Sequence, residues 1–422
     1  MQEATEANAT GSIPARIDAA SGRVSINPRD PAFFQDPYPV YEAIRAEMPA
    51  FFWEEFRNWN FLDLEDVNAI TRDRRFGREI LHVASREELG WQPVPEPLKP
   101  FYEMDALSIF QREPPNHTRL RTVMARAFVP RQIEKMRGRI HAMANALIDG
   151  FEAKREVDLV PAYTTPVPAF VIAELLGVPQ SSVPEMLDWS HRMAGMYQLG
   201  RTPEMVAAAI AATHEFTAFL IDYIAYRRSN PSDDLISTMI AASDTGETLS
   251  EPELVSNCIF ILNAGHETTV HATGNGIKRI LESGMDAEIL LGSPEMIEAT
   301  IDECIRLHPP VHITDRYVLE DLDYRGVALK KGHRVGLVIG AANRDPARFA
   351  NGQSFDPSRP RQPHASFGGG IHFCLGGALA RLEMEVTMPM IFRRLPGLHL
   401  VDTPRYSDTY RFHGLDSLNV AW

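Results

Sequence analysis

The stretch Phe367-Gly368-Gly369-Gly370-Ile371-His372-Phe373-Cys374-Leu375-Gly376 decides how this chain is read. It sets one cysteine, Cys374, in a glycine-rich loop that runs into an apolar helical pattern from Leu375 to about Phe392. A thiolate there sits at a helix N-terminus, where backbone N–H groups and the positive end of the dipole favour its charge. The glycines let the loop backbone come close to something large and flat. A plain glycine turn with a buried structural cysteine explains neither Phe367 nor His372.

A cysteine so placed can ligate haem iron from one face. The spacing resembles the signature Phe-Gly-x-Gly-x-His-x-Cys-x-Gly of the cytochrome P450 superfamily, the haem-thiolate monooxygenases. Phe367, Gly368, Gly370, His372, Cys374 and Gly376 meet every fixed position. The resemblance implies haem b as cofactor with Cys374 as its metal ligand. It also implies an α+β, mostly helical fold with a long central oxygen-activation helix and small β-sheets at the chain ends.

Outward from the cysteine, the chain has ordinary globular composition. Of its 422 residues, 44% are hydrophobic and 23% charged, enough for a large core. The net charge of −14 argues against nucleic-acid binding and against anionic membranes. The cysteines, Cys258, Cys304 and Cys374, are odd in number and far apart, which points to a reducing compartment. Residues 1–30 are polar, read as loosely ordered, and hold no apolar run long enough for a leader or anchor. Residues 31–422 read as one domain, and the expectation is a cytoplasmic, monomeric bacterial protein.

The periodicity places a hairpin over Phe51–Leu64 with Arg57-Asn58 in its turn. Residues 81–108, with prolines at 93, 95, 97 and 100, read as a long irregular loop of functional importance. Helices dominate from Pro115 to about Pro252. Another runs from Ser250, with Ser250 and Glu253 in capping-box spacing, past Ile280. Pro294–Leu307 is a further helix, and short strands follow between Val311 and Ile339.

A second motif, Ala264-Gly-His-Glu-Thr-Thr269, puts an acid and a hydroxyl in the middle of an apolar helix. Ala264 and Thr268 share a face, so the Thr268 hydroxyl can bond back to the Ala264 carbonyl and open the helix. Gly265 removes bulk beside that opening. The pattern resembles the family's oxygen-activation helix. By that resemblance, Thr268 and Glu267 are the catalytic pair: Thr268 holds water at the bound O2 and Glu267 feeds protons from solvent. A kinked helix with a solvated acid is the plain alternative for this hexapeptide alone. His266 reads as structural.

Two further groups take their meaning from the resemblance. Glu303 and Arg306 are spaced to pair on one helix. With Arg359 they match the family's buried charge triad, which fixes the loop before the cysteine. His117, Arg121, Arg316 and His372 match positions that hold the haem carboxylates. Arg119, on another face from His117 and Arg121, is expected to be exposed.

Residues 112–139 carry Arg112, Arg119, Arg121, Arg126, Arg131, Lys135, Arg137 and Arg139 against only Glu113 and Glu134. This basic stretch suits docking of an acidic iron–sulfur ferredoxin with its reductase, although a generic basic helix face reads the same way. The implied reaction inserts one atom of O2 into an apolar small molecule held by segments that include residues 81–108, 193–197, 261–268, 311–314 and the vicinity of Phe412. His312 is a possible polar contact to that substrate. An H2O2-driven peroxygenase and a non-catalytic haem sensor or carrier are the alternative readings; terpenoid, aromatic and fatty substrates are equally open.

Overall fold

The computed structural model describes residues 13–198, 200–244 and 249–422. Its axis is the helix Glu251–Ser283, the central helix. Ser250 caps it, and the Glu253 carboxylate accepts from the Ser250 amide at 2.9 Å, completing the box legible in the sequence. The helix stops where Gly284 turns left-handed at φ 66°. It is apolar nearly all round because helices Pro166–Leu176, Pro203–Ser229, Pro294–Leu307 and Gly377–Arg394 all pack on it. Pro203–Ser229 is long and apolar enough to cross a membrane by composition, but here it lays Ala209, Phe216, Leu220 and Ile224 into the core.

The strands form small sheets, as expected, and the largest joins strands from the two chain ends. One seven-stranded sheet runs in the order Arg16–Asp18, Arg23–Ser25, Ala50–Trp53, Asn58–Phe61, Arg334–Val338, Ile313–Val318, Phe76–Gly77. The expected hairpin is present, with Arg57 at φ 54° in its turn. Its second strand runs parallel to Arg334–Val338, with Trp59 opposite Val335. Parallel pairing across so many residues leaves no local signature, so the joining of the two regions was not legible.

Residues 13–30 also depart from expectation. Two strands lie there, and Val24 and Ile26 are fully buried beside Trp53, whose indole N–H donates to the Ile26 carbonyl at 3.1 Å. Residues 1–12, the rest of the supposedly loose segment, lie outside the described residues. The 81–108 loop contains a short helix, Lys99–Asp105. The central helix ties this region down: Ser256 Oγ donates to the Met104 carbonyl at 2.6 Å, and Asn257 Oδ1 accepts from the Ile109 amide at 2.8 Å.

His312 does not face a substrate. It is completely buried between the N-terminal helices and the C-terminal tail, its Nε2 3.2 Å from the Tyr38 hydroxyl and its ring 4.1 Å from that of His413. Arg344 lies 3.3 Å over the Tyr38 ring. Burial, then Arg344, pulls His312 down to about 3; burial does the same in direction to His308 and His413. These rings stay neutral in the native state, whereas in the unfolded chain they bind protons below the ordinary histidine pKa of about 6.5. Stability is therefore full above that pH and falls as pH drops from it toward the folded values, by up to about 1.4 kcal/mol per pH unit for each ring. Urea unfolding at about pH 7.5 and about pH 5.5 should show a smaller loss for His312→Asn than for the wild type. Equal losses would show that the cluster does not set the acid sensitivity.

Candidate active site

A buried ion pair frames the cysteine loop. Arg306 meets both oxygens of Glu303 at 2.7 Å and donates to the carbonyls of Asn343 at 2.7 Å and Gly352 at 2.8 Å. Arg359 reaches the same carboxylate at 3.5 Å, so the triad expected from the sequence is assembled. Asn343 passes this order on: its Oδ1 accepts from the Ala365 amide at 2.7 Å, and its side-chain amide donates to Ser366 Oγ at 2.7 Å.

Beyond Ser366 the loop closes on itself, because the Cys374 amide donates to the Phe367 carbonyl at 2.9 Å. The Phe367 ring lies beneath Arg381, 4.2 Å away. Gly370 takes φ 64°, and a Cβ there would strike the Thr71 carbonyl; a Cβ on Gly369 would lie 2.6 Å from Thr71 Oγ1. The close approach expected of these glycines is thus to the protein's own 71–72 segment at Gly369 and Gly370. Around Gly368 and Gly376 a Cβ would meet nothing nearer than 3.8 Å.

Cys374 lies three residues before the helix Gly377–Arg394. The residue is exposed, unlike the buried Cys258 and Cys304. Burial raises its pKa, against the Gly376 N–H and the positive Arg121 and Arg381. Helix-end donors alone therefore do not make a thiolate here, contrary to the simple dipole argument. A metal ion that binds the deprotonated sulfur would reverse that balance.

Of the four expected basic residues, Arg121 acts on both Cys374 and His117, His117 meets His372, and Arg316 shares the Glu113 carboxylate with His372. His117 and His372 stack edge-on at 4.5 Å, and His372 Nε2 lies 3.0 Å from Glu113, which also accepts from the Arg78 amide at 2.7 Å. Burial pushes Glu113 up, but His372, the Arg78 amide and Arg316 carry it below its ordinary value. His117 is buried with Nε2 making no hydrogen bond, and burial, His372 and Arg121 push it down to about 4. Arg316, 6% exposed, donates only to the neighbouring Asp315 carbonyl among the described residues; burial and Arg78 pull it to about 9. Asp315 is already engaged by Arg78, Arg334 and Arg411. Arg316 thus has no carboxylate within ion-pair distance among the described residues, and the buried His117 Nε2 has no hydrogen-bond partner. An anionic ligand fits there, and the two carboxylates of haem b have the charge that this cluster lacks.

On the central helix, Thr268 Oγ1 donates to the Ala264 carbonyl at 2.8 Å, as the spacing required. The helix nevertheless runs unbroken through the motif. Gly265 packs closely: a Cβ there would lie 2.5 Å from Ile172 Cδ1, so its smallness seats the helix Pro166–Leu176. Glu267 is surrounded by imidazoles. Its Oε1 lies 3.2 Å from His271 Nε2, and its Oε2 lies 3.5 Å from His266 Nδ1 and 3.7 Å from His191 Nε2. Burial raises the carboxyl, but the His271 bond and the three rings carry it down to about 2, so it stays ionised. His191 and His271 were not singled out in the sequence; His271, four residues from Glu267, carried an i,i+4 signal, whereas His191 comes from another helix. Glu113 and Arg78 were likewise overlooked. Phe101, Met193, Met196 and Ile261 are buried in the large hydrophobic core of the helical region.

Replacing Arg316 with Gln should weaken haem uptake about 10- to 100-fold, the worth of one charge-assisted hydrogen bond. Titration of haem into the apoprotein, followed by absorbance, measures this. Unchanged affinity would show that Arg316 does not face a cofactor carboxylate.

Comparison with known proteins agrees with this geometry. The cytochrome P450 family model matches residues 291–403. The polyketide biosynthesis cytochrome P450 PksS of Bacillus subtilis (strain 168) is 32% identical over 411 residues, covering 94% of this chain and 99% of the relative. The vitamin D(3) 25-hydroxylase of Pseudonocardia autotrophica is 32% identical over 397 residues, covering 92% and 94%. Among solved structures, P450BioI in complex with hexadec-9Z-enoic acid ligated acyl carrier protein aligns with TM-score 0.85 at 30% identity, covering 92% and 99%. Epothilone B-bound cytochrome P450epoK aligns with TM-score 0.87 at 29% identity, covering 94% and 99%. A cysteine loop held by a buried triad, a cation cluster suited to haem carboxylates and relatives matched end to end lead to one conclusion: this chain belongs to the cytochrome P450 family and is a haem b monooxygenase.

Proposed function

We propose that this monooxygenase inserts one oxygen atom into an apolar small molecule, using two electrons from an iron–sulfur ferredoxin served by its reductase. The observation that carries the reading is Thr268, bonded to Ala264, next in the central helix to an ionised Glu267 set among three imidazoles. Cys374 is the iron ligand. His117, Arg121, Arg316 and His372 would hold the carboxylates of the bound haem, and Phe367, Gly368, Gly370 and Gly376 would shape the loop that presents Cys374 to it. Ala264 and Gly265 form the helix segment that faces it. Bound haem supplies the activation of O2.

The chain's own part is to position the substrate and control the proton. Phe101, Met193, Met196 and Ile261 offer a substrate apolar surface and keep bulk water away. Thr268, with its proton committed to the Ala264 carbonyl, presents oxygen lone pairs that can hold a water. Glu267 is partly exposed and reaches solvent through His191, whose side chain is 55% exposed. A proton can therefore pass from the surface to the carboxylate and on to water held by Thr268. Relatives named for polyketides, vitamin D(3) and a fatty-acyl carrier protein support a bulky apolar substrate. We read the protein as a cytoplasmic monomer.

The basic docking face is narrower than the sequence implied. Arg112 pairs with Glu79, Arg119 with Glu253, Lys135 with Asp233, Arg137 with Glu134 and Arg139 with Glu174. Arg119 is thus engaged, not freely exposed. Arg126 and Arg131 make no ion pair among the described residues and are the stronger candidates for steering an acidic donor. Arg126→Glu should slow ferredoxin-driven reduction several-fold and flatten its salt dependence, because exposed charges are screened within about 10 Å at 0.1 M salt. Stopped-flow reduction at low and high salt tests this; rates indifferent to both changes would remove the docking assignment.

Thr268→Ala deletes the hydroxyl and little else. Haem and substrate should still bind and NADH should still be consumed, while product per NADH falls about tenfold or more and peroxide rises, in keeping with the usual worth of a positioned proton path. Product and H2O2 are measured per NADH for both proteins. Coupling unchanged by the mutation would refute the proton path and favour a peroxide-driven enzyme or a haem carrier.

A further inference from the structure

Glu267 and the three imidazoles around it form more than a proton path. His191 comes from the helix Val183–Ala194, whereas His266 and Glu267 are adjacent on the central helix. Ligand atoms of these three side chains all lie within 4.8 Å of one another. The carboxylate divides its work: Oε2 faces His266 and His191, while Oε1 is held 3.2 Å from His271 Nε2. A histidine that orients a carboxylate whose other oxygen is free for a cation is a recurrent outer-shell arrangement at metal sites.

An independent observation concerns His266. It is 1% exposed, and neither ring nitrogen makes a hydrogen bond. A buried imidazole with both nitrogens unbonded costs free energy that nothing among the described residues repays. Nδ1 of this ring is directed toward Glu267 Oε2, the same point that His191 approaches from the facing helix.

We infer that His191, His266 and Glu267 form a second metal site, for a divalent transition ion of the zinc type, distinct from the haem iron. Two imidazoles and a carboxylate suit Zn2+ and leave a fourth position for water, whereas magnesium and calcium prefer all-oxygen shells. Ligand atoms around tetrahedral zinc stand about 3.3 Å apart. The Glu267 distances of 3.5 and 3.7 Å are already near this, and the remaining separation, within 4.8 Å, needs a contraction of up to about 1.5 Å, which the exposed His191 side chain can supply. The ion clasps the Val183–Ala194 helix to the central helix and takes the Glu267 oxygen that faces His191. Zinc is therefore an inhibitor: it blocks the outer end of the proposed proton path and restrains the helix that carries His191 and Met193.

The test uses the haem-loaded enzyme, stripped with a chelator, desalted and titrated with ZnCl2. Calorimetry gives affinity and stoichiometry; metal analysis gives zinc per iron, so that zinc exchange into the porphyrin is detected as lost iron. We expect one zinc per haem in the wild type, with affinity at least about 100-fold weaker in His191→Ala. His214→Ala, which removes an exposed histidine elsewhere, retains the site. Zinc should lower turnover of the wild type at concentrations that leave His191→Ala unaffected. Absence of stoichiometric binding, or equal binding by the wild type and His191→Ala, overturns the proposal. Binding that is lost in His191→Ala without any effect on turnover keeps the metal site and overturns its inhibitory role. Because binding is read separately from coupling, failure here leaves the role of Thr268 and Glu267 untouched.

Discussion

The guanidinium of Arg306 is the constraint on which the haem-binding half depends. It is 2% exposed and has no way to lose its charge, so every N–H it carries must find an acceptor. Glu303 satisfies one edge, and the carbonyls of Asn343, Gly352 and Ser354 satisfy the rest. Those carbonyls belong to an irregular segment that no helix or sheet ladder would otherwise fix. Burying an ion pair does not by itself stabilise a fold, since desolvation offsets most of the attraction. Its return here is geometric. With the 343–354 segment fixed, Asn343 can hold the Ala365 amide and Ser366, and the cysteine loop leaves a defined point.

The two sides of the site are built on opposite electrostatic logic. On the cysteine side, Arg316 has no carboxylate partner and His117 Nε2 no hydrogen bond among the described residues, which suits an anionic ligand. On the opposite side, Glu267 is an anion set among His191, His266 and His271. Imidazole is the one ordinary side chain that can accept, carry or release a proton near neutral pH, and it is also a metal ligand. One cluster thus suits both a proton path and a cation that would interrupt it. Between the two sides, the Thr268–Ala264 bond leaves the central helix continuous, so the hydroxyl is positioned by a rigid element.

The electrostatic surface shows how a linear charge count misleads. Residues 112–139 carry eight basic side chains in the sequence, yet five of them meet carboxylates from residues 79, 134, 174, 233 and 253. Only Glu134 lies within the stretch. The others arrive through folding, and what remains for a partner is a smaller patch around Arg126 and Arg131.

The sequence by itself determined whatever depends on residues close together in the chain. The cysteine loop, the Ser250–Glu253 cap, the Thr268–Ala264 bond and the Glu303–Arg306 pair are all set by helical or turn geometry within a few residues. The resemblance to a known family then located the distant basic residues, and the structure brings His117, Arg121, Arg316 and His372 together. Tertiary structure alone decided the rest. Val24 and Ile26 became core because Trp53 lies beside them, although their segment looks polar overall. His312, reachable by a substrate on paper, was sealed off by His413 and Tyr38. Gly265 proved to be a seat for Ile172, and His191 joined Glu267 from another helix. Burial and long-range pairing set these outcomes, and neither has a short-range pattern from which it could be read.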